Sequence, residues 1–556
     1  MLKVLTAAEM REVDRLTTER YGIPSIILME NAAHAVAGVI TEKLGGSVEG
    51  KSILIICGPG NNGGDGAALA RLLGLDGAHV EVVLLGRIKD TKGDARTNFG
   101  VLCREDFTYD DVYSSAFCQL REVTSKDEWD EIQIALYNEA DVIVDAIFGT
   151  GLTRPLEILV YNIIHEMNFL AEDPLPKNRL RVAIDIPSGL NADSGRQLDI
   201  AVEADITVTF TAPKPGNVLP GAIGFNGELR IADIGSPLDL IDEQPSQLFL
   251  AEKEDAADWL EETAFSSGDY KNKRGHALVI AGSEDYSGAA VLAGDAAMRS
   301  GVGLVTVVTP RSLKDSVASR VLPDVMVRGV AESERGAISE AAFDEIGDLI
   351  DKADSIAIGC GLSQDESTKK FVEAVIANRR QPVVVDADAL NLLSPFERLN
   401  VHWNGRFPQL ILTPHEGEFL RLLGTADRDA IKDRVEAVRE FATKHNVILV
   451  LKGERVLIGV PDGRVVVNPT GNSGLGKAGN GDTLTGILSG FVAQATMRGI
   501  DIVETVIAGA YVAGMAGDIA ESKYGKRVMT ASDVRECLAE AFQELGRDRY
   551  RTGRIL

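Results

Sequence analysis

Short apolar runs alternate with helix-length segments along most of this chain, and few folds are compatible with that. Ser52–Cys57, Val80–Leu85, Asp141–Ala146, Arg181–Ile186 and Asp205–Phe210 read as strands, with helices over Ala67–Leu75 and Trp129–Glu139 between them. Strands that are apolar throughout belong to parallel sheets covered on both faces, so the alternation predicts α/β units. Ahead of them, Thr6 and Glu9 have capping-box spacing before Met10, Val13 and Leu16, and Pro24-Ser25 starts a second helix.

The alternation stops near Gly235-Ser236-Pro237. Asp242–Asp258 is acidic and contains proline, and a new series of strands follows: Ala277–Ala281, Leu304–Val308, Ser355–Ile358, Pro382–Asp386, Leu410–Leu412 and Val447–Leu451. Two closing helices are expected around Thr483–Ala495 and Ile502–Ala520. This reads as two tandem α/β domains, 1–240 and 250–556, joined within Gly235–Asp258.

A length of 556 residues, 45% hydrophobic and 25% charged, accommodates both as globular units. The balance of 57 basic against 83 acidic residues gives 57 − 83 = −26, a sign that repels nucleic acid and anionic lipid, so neither is expected as a partner. Cys57, Cys103, Cys118, Cys360 and Cys537 are scattered and form no Cys-x-x-Cys, which argues for a reducing compartment and against a disulfide framework or a zinc site. The opening MLKVLTAAEMREVDR meets charge before a signal region can form, and no run approaches the roughly 18 apolar residues of a membrane span. A cytoplasmic protein is expected.

Two glycine-rich loops carry chemistry. Gly58-Pro59-Gly60-Asn61-Asn62-Gly63 fits the dinucleotide spacing between a strand and a helix, but the second strand ends Leu84-Leu85-Gly86-Arg87 without the acidic residue a ribose hydroxyl needs. Instead the loop offers carboxamides and Asp65. Gly471–Lys477 fits the G-x-x-x-x-G-K part of a P-loop, but Ala478 stands where a Mg²⁺-binding hydroxyl is required. Its continuation, Gly479-Asn480-Gly481-Asp482, opens a helix, where converging amides hold an anion and a carboxylate beside them can take a proton from an attacking hydroxyl.

With Asp386-Ala387-Asp388-Ala389-Leu390-Asn391 and Thr413-Pro414-His415-Glu416-Gly417-Glu418, that stretch resembles the ribokinase-like superfamily, and within it the ADP-dependent NAD(P)H-hydrate dehydratases. Gly282–Ala290 and Gly359-Cys360-Gly361-Leu362 fit the same branch, whereas Tyr270-Lys271-Asn272 stands where that branch has His-Lys-Gly. The N-terminal half resembles the NAD(P)H-hydrate epimerases through Gly58–Gly66, Val144–Gly151 and Ile184–Gly189. In this order the halves are similar to bifunctional nicotinamide nucleotide repair enzymes. The resemblance implies a Rossmann-like three-layer αβα domain followed by a ribokinase-like αβα domain.

It also implies a reaction and its residues. Hydrated NADH and NADPH carry a hydroxyl at carbon 6 of the nicotinamide ring. Phosphorylation from ADP makes it a leaving group, and AMP, phosphate and the restored cofactor result. Asp482 is the expected base, with ADP and Mg²⁺ bound. Nucleotide contacts are expected at Lys452, Gly453, Glu454, Arg455 and Val456, and at Asn472, Ser473, Gly474, Leu475, Gly476, Lys477, Ala478, Gly479, Asn480 and Gly481. The hydrated cofactor would meet Ala289, Gly361, His415, Glu416, Gly417, Glu418, Phe419, Leu420, Arg421 and Asp482. Glu418 would organise Mg²⁺ through water, or else cap its helix.

In the epimerase half the implied contacts are Asn61, Asn62, Gly63, Gly64 and Asp65, then Gly149, Thr150, Gly151, Leu152, Thr153, Arg154 and Pro155, and Asp185. K⁺ would sit at Asn62, Asp145 and Ser188. Asp145 and Asp185 each end an apolar strand, where α/β sheets bind ligands; Asp185 is taken as the catalytic carboxylate, although the sequence does not say which one moves the proton. A homo-oligomer is expected. Two rival readings are a small-alcohol kinase and an N-terminal domain that binds without catalysing.

Overall fold

The computed structural model describes residues 1–102, 118–169, 179–396 and 409–552, the last six of these by backbone alone. Cys103 lies outside them, and Cys57, Cys118, Cys360 and Cys537 are free thiols. Residues 2–246 make one compact unit; residues 247–556, with Met1, make the other.

The N-terminal unit carries seven parallel strands, β1 (Ser52–Cys57), β2 (His79–Leu85), β3 (Cys118–Val123), β4 (Val142–Ala146), β5 (Leu180–Ile184), β6 (Ile206–Phe210) and β7 (Glu228–Ala232), in the order β3-β2-β1-β4-β5-β6-β7. Side chains alternate across β1. Ile53, Ile55 and Cys57 pack with Leu28, Val36 and Leu69 of helices Ser25–Lys43 and Asn61–Leu75. Leu54 and Ile56 face the other way, onto Trp129 and Ile163 of helices Lys126–Glu139 and Ile158–Phe169. Two apolar faces, each covered by helices, give three layers. Connections reverse direction between β1 and β4, the kind of switch point outside whose strand C-termini α/β sheets bind ligands. The opening helix, Ala7–Tyr21, has the expected capping box: Glu9 N donates to Thr6 Oγ1 at 3.3 Å and Thr6 N to Glu9 Oε2 at 2.8 Å.

The C-terminal unit is built on β8 (Leu248–Leu250), β9 (His276–Ile280), β10 (Leu304–Pro310), β11 (Met326–Val330), β12 (Ser355–Ile358), β13 (Val383–Val385), β14 (Leu410–Leu412), β15 (Ile448–Leu451), β16 (Val456–Gly459) and β17 (Val465–Asn468). Its sheet runs β8-β17-β16-β15-β14-β13-β12-β9-β10-β11, and only β16 is antiparallel to its neighbours. Ala277 and Val279 of β9 face Ala290, Ala293 and Ala297 of helix Ser287–Arg299 and Leu488 and Val492 of helix Asn480–Arg498. Leu278 and Ile280 are equally buried on the opposite side.

Three features differ from the sequence reading. Strands β3, β7, β8, β11, β16 and β17 were not anticipated; they are short or carry polar residues that break the apolar run, and β8 lies inside the acidic stretch. A third closing helix, Ala531–Thr552, follows the two expected ones. Helix Ile502–Tyr524 is long and apolar enough to cross a membrane by length and composition, contrary to the expectation that no run would be. Ile and Val supply most of its apolarity, but Ala and Gly separate them and Glu504 and Asp518 interrupt the run, so no continuous apolar stretch stands out in the sequence. Within the unit it is a core helix, with Val506, Ile507, Val512, Ala516 and Ala520 buried.

Candidate active sites

In the N-terminal unit the candidate residues gather at the C-terminal ends of β1, β4 and β5. The turn after β1 is held by Gly58, whose N–H donates to Ala146 O at 3.0 Å. Glycine is obligatory at Gly63, where a Cβ would lie 1.8 Å from the Gly58 carbonyl oxygen. The tight turn seats Asn62 at the start of its helix, buried, with Nδ2 lacking a hydrogen-bond partner. Asn62 and Asp185 converge on Gly149: a Cβ there would sit 3.4 Å from Asn62 Oδ1 and 3.3 Å from Asp185 Oδ2.

Asp145, at the end of β4, accepts from Ser188 Oγ at 2.6 Å, Ser188 N at 2.7 Å and Ile147 N at 3.2 Å. Burial nevertheless pushes its carboxyl up to about 6, against those three bonds. A cation beside it would reverse that shift, and amide, hydroxyl and carboxylate oxygens suit a hard cation. Asp65 is pushed well above the usual carboxylate range, by burial first and then by the like charges of Asp185 and Asp14, with Lys214 opposing.

Gly151, Thr153, Arg154 and Pro155 are exposed, and Arg154 lies 3.7 Å from Glu157. Leu152 is buried. Lys214 was missed. Buried to 2%, it donates to Asp185 Oδ1 at 2.7 Å, and only its place in Pro213-Lys214-Pro215-Gly216 after an apolar strand could have pointed to it.

In the C-terminal unit a cavity of about 680 Å³ opens at the start of helix Asn480–Arg498. Lys452, Gly453, Glu454 and Val456 line it, with Asn472, Ser473, Leu475, Gly476, Lys477, Ala478, Gly479, Asn480 and Gly481, and with His415 and Asp482. Leu484, Ile487, Ala513 and Val534 add apolar lining. Gly479, the residue before the helix, has φ 92°, a left-handed conformation that suits glycine, and a Cβ there would meet Leu292 at 2.7 Å. Gly479 and Gly481 therefore bring the start of the helix to the cavity without a side chain in the way.

A charged group stands beside them. Lys452 Nζ donates to Asp386 Oδ1 at 2.7 Å, and Thr485 Oγ1 donates to Asp386 Oδ2 at 2.8 Å. A Cβ on Gly481 would lie 3.5 Å from both Lys452 Nζ and Asp386 Oδ2. Burial lowers the Lys452 pKa, but the charges of Asp386 and Glu418 outweigh it and leave it above the ordinary lysine value. Burial pushes the Asp482 carboxyl up to about 6; Asp386 and Asp388 add to this, while a Cys360 hydrogen bond and Lys452 oppose it. The backbone after Asp386 is strained, Ala387 having φ 49°.

Not every expected residue reaches this cavity. Ala289, Gly361 and Glu416–Arg421 are not among its described lining. Ala289 and Gly361 meet each other across Tyr286, a Cβ on Gly361 falling 3.0 Å from Ala289 Cβ, and Gly361 adjoins Cys360, which contacts Asp482. Asp482 thus has the cavity on one side and this small-residue surface on the other. Phe419 and Leu420 are core residues, Phe419 stacking edge-on against Phe441 at 5.4 Å, so their side chains are not available to a ligand.

Arg421 Nε donates to Asn391 Oδ1 at 2.7 Å. Glu418 completes a capping box: His415 N donates to Glu418 Oε2 at 2.8 Å and Glu418 N to His415 Nδ1 at 3.2 Å. Lys477 turns away, donating to Arg527 O and Met529 O, so it is no P-loop lysine. Arg455 donates to Pro469 O, and Gly474 N to Asn472 Oδ1 at 2.9 Å. Among the described residues no three His, Cys, Asp or Glu come together as a metal site.

A family model described as NAD(P)H-hydrate dehydratase matches residues 277–540, and one described as YjeF-related protein N-terminus matches residues 25–216. The bifunctional NAD(P)H-hydrate repair enzyme of Moorella thermoacetica is 38% identical over 544 residues, 98% of this chain and 97% of that protein. Its counterpart from Thermofilum pendens is 32% identical over 547 residues, 98% and 97% of the two chains. The ADP/ATP-dependent NAD(P)H-hydrate dehydratase of Bacillus subtilis, co-crystallised with ATP/Mg²⁺, is 30% identical over 53% of this chain and 98% of its own, with a TM-score of 0.46. Matched end to end by such relatives, the chain belongs to the family of bifunctional NAD(P)H-hydrate repair enzymes.

Proposed function

We propose that the N-terminal unit interconverts the carbon-6 epimers of hydrated NADH and NADPH, and that the C-terminal unit dehydrates the S epimer with ADP. The observation that carries the second step is Asp482 at the first turn of a 19-residue helix, beside the Lys452 ammonium and inside the cavity. The helix amides and Lys452 hold the terminal phosphoryl group of ADP in line with the substrate hydroxyl, and Asp482 takes that hydroxyl's proton. Phosphate then leaves, expelled by the lone pair of the ring nitrogen, and AMP remains. Glu418, its carboxylate 3.8 Å from Lys452 Nζ, is the residue that would hold Mg²⁺ through water, where the metal would supply positive charge to the nucleotide phosphates.

Epimerisation needs only reversible opening at a hemiaminal-like centre, so a carboxylate in a fixed pocket suffices. Asp185 is that carboxylate, with Asn62 and Gly149 forming the floor. K⁺ would supply positive charge beside the buried Asp145, held by Asn62, Asp145 and Ser188. The exposed apolar residues Ile158, Tyr161 and Phe169 on one helix support a homo-oligomer, and scattered free thiols support a cytoplasmic location.

The test supplies ADP to an equal mixture of epimers. The intact protein should restore the dihydronicotinamide in one phase. Asp185→Ala should restore half quickly and the rest only at the spontaneous rate. A parent trace that is already biphasic, and unchanged by Asp185→Ala, would confine the chemistry to the C-terminal unit.

A further inference from the structure

The geometry points to Lys214 as a positioning residue of epimerisation, one that fixes the Asp185 carboxylate with Oδ1 tied back and Oδ2 presented to the pocket. The inference rests on Asp185 being the reacting carboxylate. Lys214 lies just beyond β6 and is 2% exposed, a burial that lysine tolerates only when its charge is met. Its ammonium has three N–H donors and three partners: Asp185 Oδ1 at 2.7 Å, Thr209 Oγ1 at 3.0 Å and Phe210 O at 3.0 Å. With every donor used, it has nothing free to offer a substrate, so it acts through Asp185.

Thr209 Oγ1 closes the arrangement by donating to the same Asp185 Oδ1 at 3.0 Å. Among the described residues no hydrogen bond reaches Asp185 Oδ2, the oxygen that faces Gly149 and Asn62. The main chain is held by the same lysine. Asp185 has φ 68°, an unusual left-handed conformation for a residue with a Cβ. Its carbonyl accepts from Asn217 Nδ2 at 3.1 Å, and Asn217 Oδ1 accepts from Lys214 N at 2.8 Å. Side chain and backbone of one residue therefore fix the carboxylate and the strained turn that carries it. Charge points the same way, since the carboxylates of Asp14, Asp65 and Asp185 all interact with this ammonium.

The test uses the full chain without ADP, following conversion of purified R-NADHX to the S epimer by chromatography. Lys214→Met should lower kcat by about 10²-fold, the usual cost of a misplacement near 1 Å, and leave KM within about twofold, because Lys214 does not touch the substrate. Lys214→Arg, which keeps the charge, should recover at least about tenfold of that loss. Thr209→Val removes a hydroxyl without changing shape, and should lower kcat about tenfold at constant KM; it decides the matter if Lys214→Met does not fold. A kcat within about threefold of the parent in both Lys214→Met and Thr209→Val, a loss carried by KM, or Lys214→Arg no better than Lys214→Met would each overturn the inference. Asp185→Asn separates the two levels. If it keeps the rate, the reading of Asp185 itself fails and takes this inference with it; if it loses the rate while the Lys214 and Thr209 variants do not, only the positioning role fails.

Discussion

Asp482 should reveal itself through pH, because its environment opposes the charge its role requires. Burial and the nearby carboxylates Asp386 and Asp388 push it from the ordinary 3.8 up to about 6. A base with that pKa is roughly one-tenth ionised at pH 5 and nine-tenths at pH 7, so kcat/KM for dehydration should rise about tenfold between them. With an ordinary carboxylate the rate would be nearly flat over that range.

Stability should move oppositely. The folded state holds this proton more tightly than the unfolded chain does, so folding is penalised once the group ionises. The penalty is absent below about pH 4, builds between about 4 and 6, and is complete above; a shift of this size corresponds to about 2–3 kcal/mol. Asp482→Asn, which cannot ionise, should therefore melt higher than the parent at pH 7, lose that advantage by about pH 4, and still bind ADP while its turnover falls by about 10²–10⁴. Melting curves and coupled dihydronicotinamide assays across pH 4–8 would check both halves. A flat kcat/KM, or an Asn variant that melts lower at pH 7 and turns over within a few-fold of the parent, would refute the assignment of Asp482 as a buried base.

Lys452→Met leaves Asp386 buried with Thr485 as its remaining side-chain donor, so it should destabilise the unit by about 3 kcal/mol and lower ADP-dependent kcat by about 10²–10³; ADP turnover within about fivefold of the parent would count against a phosphoryl contact. Exchanging K⁺ for Li⁺ should slow epimerisation and leave dehydration of the S epimer unchanged, with Asp145→Asn abolishing the difference; equal epimerisation rates in both salts would remove K⁺ from the account. Residues 1–246 and 247–556, produced separately, should each melt cooperatively and carry one activity, since the helix-covered strands of each unit build their own core; failure of both to fold would disprove that independence.

The strand ends were legible because burial on both faces leaves a local signature. Ser52–Cys57, Ser355–Ile358 and Leu410–Leu412 fall where their apolar runs lie, and Asp145, Asp185 and Asp386 stand at or beyond the ends of such runs. Strands Met326–Val330 and Glu228–Ala232 were not legible: each lies at an edge, is less buried, and carries arginine. The partners of the carboxylates were not legible either. Lys214 is 29 residues from Asp185 and Lys452 is 66 from Asp386, and no local pattern records which distant side chain will neutralise a strand-end charge.

Those two pairs bear on how each unit works. Both join a carboxylate to a lysine at 2.7 Å, and a salt bridge by itself does not say which partner meets the ligand. Exposure does. In the N-terminal unit the lysine is 2% exposed and the aspartate 14%, so the carboxylate is the more accessible partner and the ammonium holds it from behind. In the C-terminal unit the aspartate is 2% exposed and the lysine 21%, so the ammonium faces the cavity and the carboxylate holds it. The two chemistries require that inversion. Opening and closing a hemiaminal-like centre calls for a group that accepts and returns a proton, whereas a transferring phosphoryl group calls for fixed positive charge, which buried lysine provides only when a carboxylate behind it keeps it protonated. Replacing Lys214 should therefore act on epimerisation through the Asp185 carboxylate, and replacing Lys452 should act directly on the transferred phosphate.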